Sequence, residues 1–220
     1  MNDLIFRQVR ILDGSGGAEF IGDVSVREGR INEVGAVTEG LAPGGREISA
    51  EGAVLCPGLI DTHAHDDGAF FRHPGMEFKL SQGVTTVVSG NCGFSAIPAD
   101  PTKDSVAASG GILAGLEGKF TDLDGYYAAA LARQPAINNM MLVGHNTVRS
   151  LVMGDSKSAP NDLQLQEMQR HVTHALEQGA CGFSSGLIYR PGRYSDTAEV
   201  TELAKMAAPF DALYTTHMRN

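Results

Sequence analysis

From Val54 onward the chain repeats one local pattern, a short apolar run with β character followed by a helix-like stretch. The runs are Leu59-Ile60-Asp61, Val84 to Val88, Asn138 to Val143, Cys181 to Ser184 and Leu213 to Thr216. Between most of them lie helical segments, over Met76 to Gln82, Leu123 to Arg133, Asp162 to Gln178 and Thr197 to Ala207. Alternation of this kind dictates parallel strands joined by right-handed crossovers. The clearest helix begins after Asn161, a residue suited to the N-cap, with Gln164 three positions later to complete a capping box. Leu165, Met168, Val172 and Ala175 form its apolar stripe, and Gly179 fits the position just past its end. Residues 98 to 120 are rich in Gly, Ala and Ser and read as a long loop. An open doubly wound sheet and a (β/α)8 barrel both satisfy this α/β pattern, and periodicity alone does not choose between them.

The first fifty-odd residues have another texture. Leu4, Phe6, Val9 and Ile11 are mostly alternating apolar positions, and Val24 to Val26 and Ile31 to Val34 alternate as well. Gly29, Gly35, Gly40, Gly44 and Gly45 punctuate the stretch. Period-2 runs joined by glycine turns predict a small antiparallel β unit whose apolar face must pack on something else. We therefore divide the chain into a β segment over residues 1–56 and an α/β segment over residues 57–220.

Composition removes several function classes. Of the 220 residues, 42% are hydrophobic and 20% charged, a globular balance. The formal net charge is −9 and Lys and Arg form no dense cluster, which argues against a nucleic-acid groove or an anionic membrane surface as partner. No run reaches the ~18 apolar residues of a spanning helix. Charges interrupt the apolar stretches of Met1 to Gly14, which is not the pattern of a secretory leader. Cys56, Cys92 and Cys181 lie far apart and do not read as a disulfide framework, so the expected compartment is the reducing cytoplasm. Cys56 and Cys181 are expected to pack rather than react.

Chemistry-bearing residues gather at the strand ends. In DTHAHDD, Asp61 to Asp67, His63 and His65 are two apart at the end of a strand. A strand period of 2 would turn both imidazoles to one face, about 6.6 Å apart, where they can share a divalent metal. Cys92, between Asn91 and Gly93 directly after a β-branched strand, would be exposed at the same edge as a soft ligand suited to zinc. A cysteine in a tight turn is also ordinary packing; the neighbouring His pair turns the reading toward a metal. His145 and His217 end the third and fifth strands. In a parallel α/β fold all strand C-termini open onto one face, where active sites are built. Tyr189 and Arg219 sit in loops at that face, the first suited to lining a substrate pocket, the second to meeting an anionic group, and His145 at the same face is a further candidate for substrate binding. His171 and His174, three apart on the long helix, are expected on its flank.

These residues resemble a known family. A β unit feeding Pro-Gly-Leu-Ile-Asp-Thr-His-Ala-His is similar to the opening of the amidohydrolase superfamily, and DTHAHDD at 61–67, SGNCGFS at 89–95 and TTHMRN at 215–220 narrow the match to the N-acyl-D-amino-acid deacylases, or D-aminoacylases. Many relatives bridge two metals with a carboxylated lysine on the fourth strand. The D-aminoacylases use a cysteine on the second, and Cys181 to Ser184 here offers no lysine. The resemblance implies a (β/α)8, TIM-like barrel with a β-sandwich made from both chain ends. About five of the eight strands would be present here, preceded by a small β-sandwich segment. It implies one or two zinc ions, held by Cys92 and His217 with a later histidine, and by His63 and His65 at a second, weaker position. The implied reaction is hydrolysis of a small-molecule N-acyl-D-amino acid to a carboxylate and a D-amino acid.

The family's catalytic aspartate belongs to the eighth strand and would lie beyond residue 220, so no catalytic residue is assigned. A full barrel needs about 250 residues by itself. Read so, the chain is the amino-terminal portion of a deacylase, expected to be unstable or self-associating through its open barrel edge and inactive alone. Two other readings stay open: a cyclic amidase of dihydroorotase or hydantoinase type, and a non-catalytic zinc-binding remnant.

Overall fold

The computed structural model describes residues 1–102, 113, 116 and 118–219. They form two compact units, Met1–Gly58 and Leu59–Asn220. The expected loop over 98–120 lies largely outside the described residues.

The first unit is a five-stranded sheet of β1 (Asn2–Ile11), β2 (Phe20–Arg27), β3 (Arg30–Gly35), β4 (Leu41–Ser49) and β5 (Val54–Leu55). The alternating runs become β1, β2 and β3, which pair antiparallel. The expectation of a purely antiparallel unit is corrected by β4 and β5, which both run parallel to β1. Alternation reports which face a residue occupies, and it carries no information on the direction of the neighbouring strand. Ile11, Val9 and Val24 are buried together, with Phe6, Ala50 and Leu55 packed against them. The register of β1 against β2 shifts between Phe6 and Val9, where Gln8 has φ 57°. Cys56, read as packing, is exposed.

The second unit carries β6 (Leu59–Asp61), β7 (Val84–Ser89), β8 (Asn138–Gly144), β9 (Gly182–Gly186) and β10 (Leu213–His217). All four pairings are parallel, and the strands lie side by side in chain order. A doubly wound sheet reverses its strand order at a switch point. Unbroken sequential order is instead that of a (β/α)8 barrel, here five of its strands. The helices are α1 (Ala69–Arg72), α2 (Glu77–Leu80), α3 (Leu123–Leu131), α4 (His145–Met153), α5 (Asp162–Glu177) and α6 (Thr197–Ala204). A 3-10 segment continues α6 over Lys205–Phe210, so the predicted helix to Ala207 changes character before its end.

Helix α5 forms as its sequence dictates. Asn161 Oδ1 accepts from the Gln164 N–H at 2.9 Å, and Gln164 Oε1 accepts from the Asn161 N–H at 3.0 Å. Met168, Val172, Ala175 and Leu176 face the interior. They join Val87, Met141, Val143 and Phe183 of the strands, Val148 of α4 and Leu203 of α6 in one core. Each of the larger of these side chains, Ala175 apart, contributes about 1.5–3 kcal/mol by leaving water. Phe71, Phe120 and Tyr126 close the core beside α3, with ring centroids 5.4–5.5 Å apart. Among the described residues no helix is long and apolar enough to cross a membrane.

Candidate metal centre

Strand β6 stops at Asp61, so His63 and His65 stand in irregular chain beyond it rather than on the strand. Ala64 between them still donates its N–H to Val88 O at 3.0 Å, which ties the segment to the end of β7. The imidazoles therefore meet through this local anchoring instead of through a strand's period. Their rings are edge to face with centroids 5.4 Å apart.

Cys92 approaches from the next strand's end. It sits in a 3-10 turn, Asn91–Gly93, and adopts φ 55°, a left-handed conformation costly for a residue with a Cβ. Contrary to the expectation of an exposed thiol, Cys92 is buried, and burial raises its pKa above that of an ordinary cysteine. Its Sγ lies 3.4 Å from His63 Nε2 and 3.8 Å from His217 Nδ1. Ligand atoms of His63, His65 and Cys92 all lie within 4.8 Å of one another. His217, the last residue of β10, meets the group through the sulfur, and Tyr189 Oη stands 3.3 Å from His217 Nδ1. Two imidazoles and a thiol converging at this range fit zinc chemistry. His65 Nδ1 is buried without a hydrogen-bond partner among the described residues, which suits a nitrogen meant for a cation. Burial, then the charge of His63, lowers the pKa of His65 and so favours the neutral, ligating form.

The surroundings are acidic and ordered. Lys79 Nζ bridges Asp61 at 2.6 Å and Asp66 at 2.9 Å. Its hydrogen bond holds the Asp61 carboxyl below the usual carboxylate range. Asp67 is fully enclosed, and burial pushes its carboxyl up to about 6 although the backbone N–H of Ala96 donates to it at 3.0 Å. Lys79 and Asp67 escape a sequence reading because their partners are distant in the chain or are backbone groups.

The other candidates fall elsewhere. His145 opens α4 fully buried, its Nε2 2.8 Å from Glu199 Oε1, and does not join the cluster. Glu199 also takes Arg149, whose Nη2 donates to Ser156 O and Ser158 O. Arg219 donates to Ser195 O at 2.6 Å. His171 lies on the flank of α5, 3.3 Å from Glu167. Cys181, just before β9, is half-buried, with a pKa raised by burial.

Comparison with known proteins sets this geometry in context. A profile of the amidohydrolase family matches residues 46–214. The N-acyl-D-glutamate deacylase of Alcaligenes xylosoxydans xylosoxydans is 42% identical over 99% of this chain and 44% of its own length. The N-acyl-D-aspartate deacylase of the same organism is 38% identical over 99% of this chain and 43% of its own. A crystal structure of N-acyl-D-glutamate deacylase from Bordetella bronchiseptica, complexed with zinc and a phosphonate inhibitor, superposes with a TM-score of 0.90. It is 41% identical, over 100% of this chain and 45% of that one. This chain thus spans less than half the length of the relatives it matches. With a sequential parallel sheet, a His-x-His segment and a cysteine at the second strand's end, the chain belongs to the amidohydrolase family, and its resemblance to the N-acyl-D-amino-acid deacylases runs along its whole length.

Proposed function

We propose that this chain supplies the metal-holding part of a hydrolase that cleaves the amide of N-acyl-D-amino acids, releasing a carboxylate and a D-amino acid. The observation that carries this reading is the approach of Cys92 Sγ to both His63 and His217, from three different strand ends. Zinc is the cation the donor set favours, one or two ions being held by His63, His65, Cys92 and His217. Bound there, it would polarise the scissile carbonyl and make water a stronger acid. The chain's own residues have separate tasks. Cys92 joins the His63/His65 pair to His217 as the shared ligand. Tyr189 Oη stands beside His217 Nδ1 and so faces the same space. Arg219, whose guanidinium donates to Ser195 O, is the group we assign to a substrate carboxylate. We assign His145 no substrate contact, since its ring is enclosed, and we assign no residue of this chain as general base.

Two measurements test the reading. The 220-residue chain is expected to retain at least one zinc per chain after dialysis, and Cys92→Ser to retain far less; a chain free of transition metal would overturn the assignment. A chimera in which this chain replaces the matched region of the N-acyl-D-glutamate deacylase is expected to hydrolyse N-acetyl-D-glutamate, and to lose at least ~100-fold in kcat with His217→Ala. A folded, zinc-loaded chimera without turnover sinks the proposed reaction.

A further inference from the structure

The left-handed turn that carries Cys92 is held by groups from β9 and α4, far away in sequence. Ser184, in the middle of β9 and fully buried, accepts from the Gly93 N–H at 3.0 Å and donates to Gly90 O at 2.5 Å. One hydroxyl therefore spans the turn from the residue before Asn91 to the residue after Cys92. Asn146 Nδ2 adds a donor to Cys92 O at 3.4 Å and to Gly186 O at 3.2 Å. The backbone fits closely around this arrangement. A Cβ at Gly90 would collide with Leu142 O, and one at Gly186 with Cys92 O. Gly90, Cys92 and Gly93 all have positive φ, at 76°, 55° and 79°. Gly90 and Gly93 take that region without steric cost, but Cys92 keeps it only when its surroundings over-determine it. The direction of the Cys92 side chain follows from that shape.

We propose that Ser184 is a positioning residue for the Cys92 ligand: its hydroxyl locks the Gly90–Gly93 turn and thereby aims the sulfur at His63 and His217. The proposal rests on the metal reading above. Groups that orient a metal ligand are worth about 10–100-fold in metal affinity. Losing the hydroxyl should therefore weaken metal binding through the cysteine in particular, beyond any loss of fold stability.

The experiment titrates Co2+ into the 220-residue chain and reads the near-ultraviolet thiolate-to-cobalt band, with metal-free thermal melting alongside. Two pairs isolate the hydroxyl: wild type against Ser184→Ala, and Ser184→Thr against Ser184→Val, which share a shape and differ only in that group. Within each pair that folds, the hydroxyl-free member is expected to bind Co2+ at least ~10-fold more weakly, with a weaker band per metal bound. A difference under ~3-fold overturns the proposal while the wild-type band leaves the metal reading intact. Absence of the band from folded wild type overturns the metal reading and this proposal with it. Should neither substituted pair fold, hydrogen exchange on the native chain decides. The Gly93 amide is expected among the strongly protected ones, and rapid exchange there removes the bond on which the proposal stands.

Discussion

Glu199 is 2% exposed and is shared by two buried partners, His145 and Arg149, themselves fully enclosed. Removing one partner of a buried ion pair leaves the other charge without compensation, which costs about 3–5 kcal/mol. Glu199→Ala is therefore expected to lower the unfolding free energy by an amount in that range, read as a lower urea midpoint at unchanged m-value, whereas Glu167→Ala, whose partner Arg170 is largely exposed, is expected to cost less than about 1 kcal/mol. Equal losses in the two variants would refute this account of the interior. The contrast also marks what was legible at this scale. His63, His65, Cys92 and His217 stood out because rare, metal-binding side chains each followed a β run. Ser184, Asn146, Glu199 and Arg149 are common residue types whose roles depend on partners 40 or more positions away. Nothing local distinguishes them from solvated residues. The exposure of Cys92 was misjudged for the same reason: its neighbours are Asn91 and Gly93, but groups packed against its turn, such as Asn146 and Gly186, come from far along the chain.

At the scale of elements, β1 is interrupted where Gln8 turns left-handed, and Asp23 of β2 repairs the break. Its Oδ1 accepts from the Gln8 N–H at 2.9 Å and its Oδ2 from Arg7 at 2.7 Å. These bonds, the Gln8 amide first and the Arg7 guanidinium next, hold the Asp23 carboxyl below its ordinary value of 3.8. A depressed carboxylate stabilises the folded form at pH values above the unfolded pKa, and that contribution disappears as pH falls through the folded pKa. Asp23→Asn is thus expected to be less stable than wild type at pH 7, with the gap closing as the pH is taken below about 4 in denaturant melts. A gap independent of pH would show that shape, not charge, mends the strand. Sequence legibility varied among elements for physical reasons. β1 to β3 showed period 2, and α5 showed its cap and stripe. β4 did not, because Pro43-Gly44-Gly45 breaks both alternation and β propensity. α4 begins directly at the end of β8 with no side-chain cap, so no start signal separates it from the strand.

Across the whole second unit, sequential strand order distinguishes a barrel segment from a doubly wound sheet, a distinction that hydrophobic periodicity could not make. The same order leaves β6 and β10 paired on one side only among the described residues. Leu59 and Ile60 on one, and Leu213 and Tyr214 on the other, are 45–60% exposed. Met218 just beyond β10 is 71% exposed. Unpaired backbone donors and acceptors beside apolar side chains form a template for another strand. Charge at an edge is the usual deterrent, yet Leu213, Tyr214, Thr215 and Thr216 carry none. The 220-residue chain is accordingly expected to self-associate through these edges. Sedimentation velocity over ~1–100 µM should show a rising weight-average mass, and Ile60→Lys with Leu213→Lys should return it toward 23.2 kDa. Both lysines can point away from the core, because the residues they replace are 60% and 57% exposed, so the double variant is expected to melt within a few degrees of wild type. A wild-type chain that stays monomeric throughout would mean that the edges are blunted in some other way, and an oligomer indifferent to the two lysines would move the interface off the sheet.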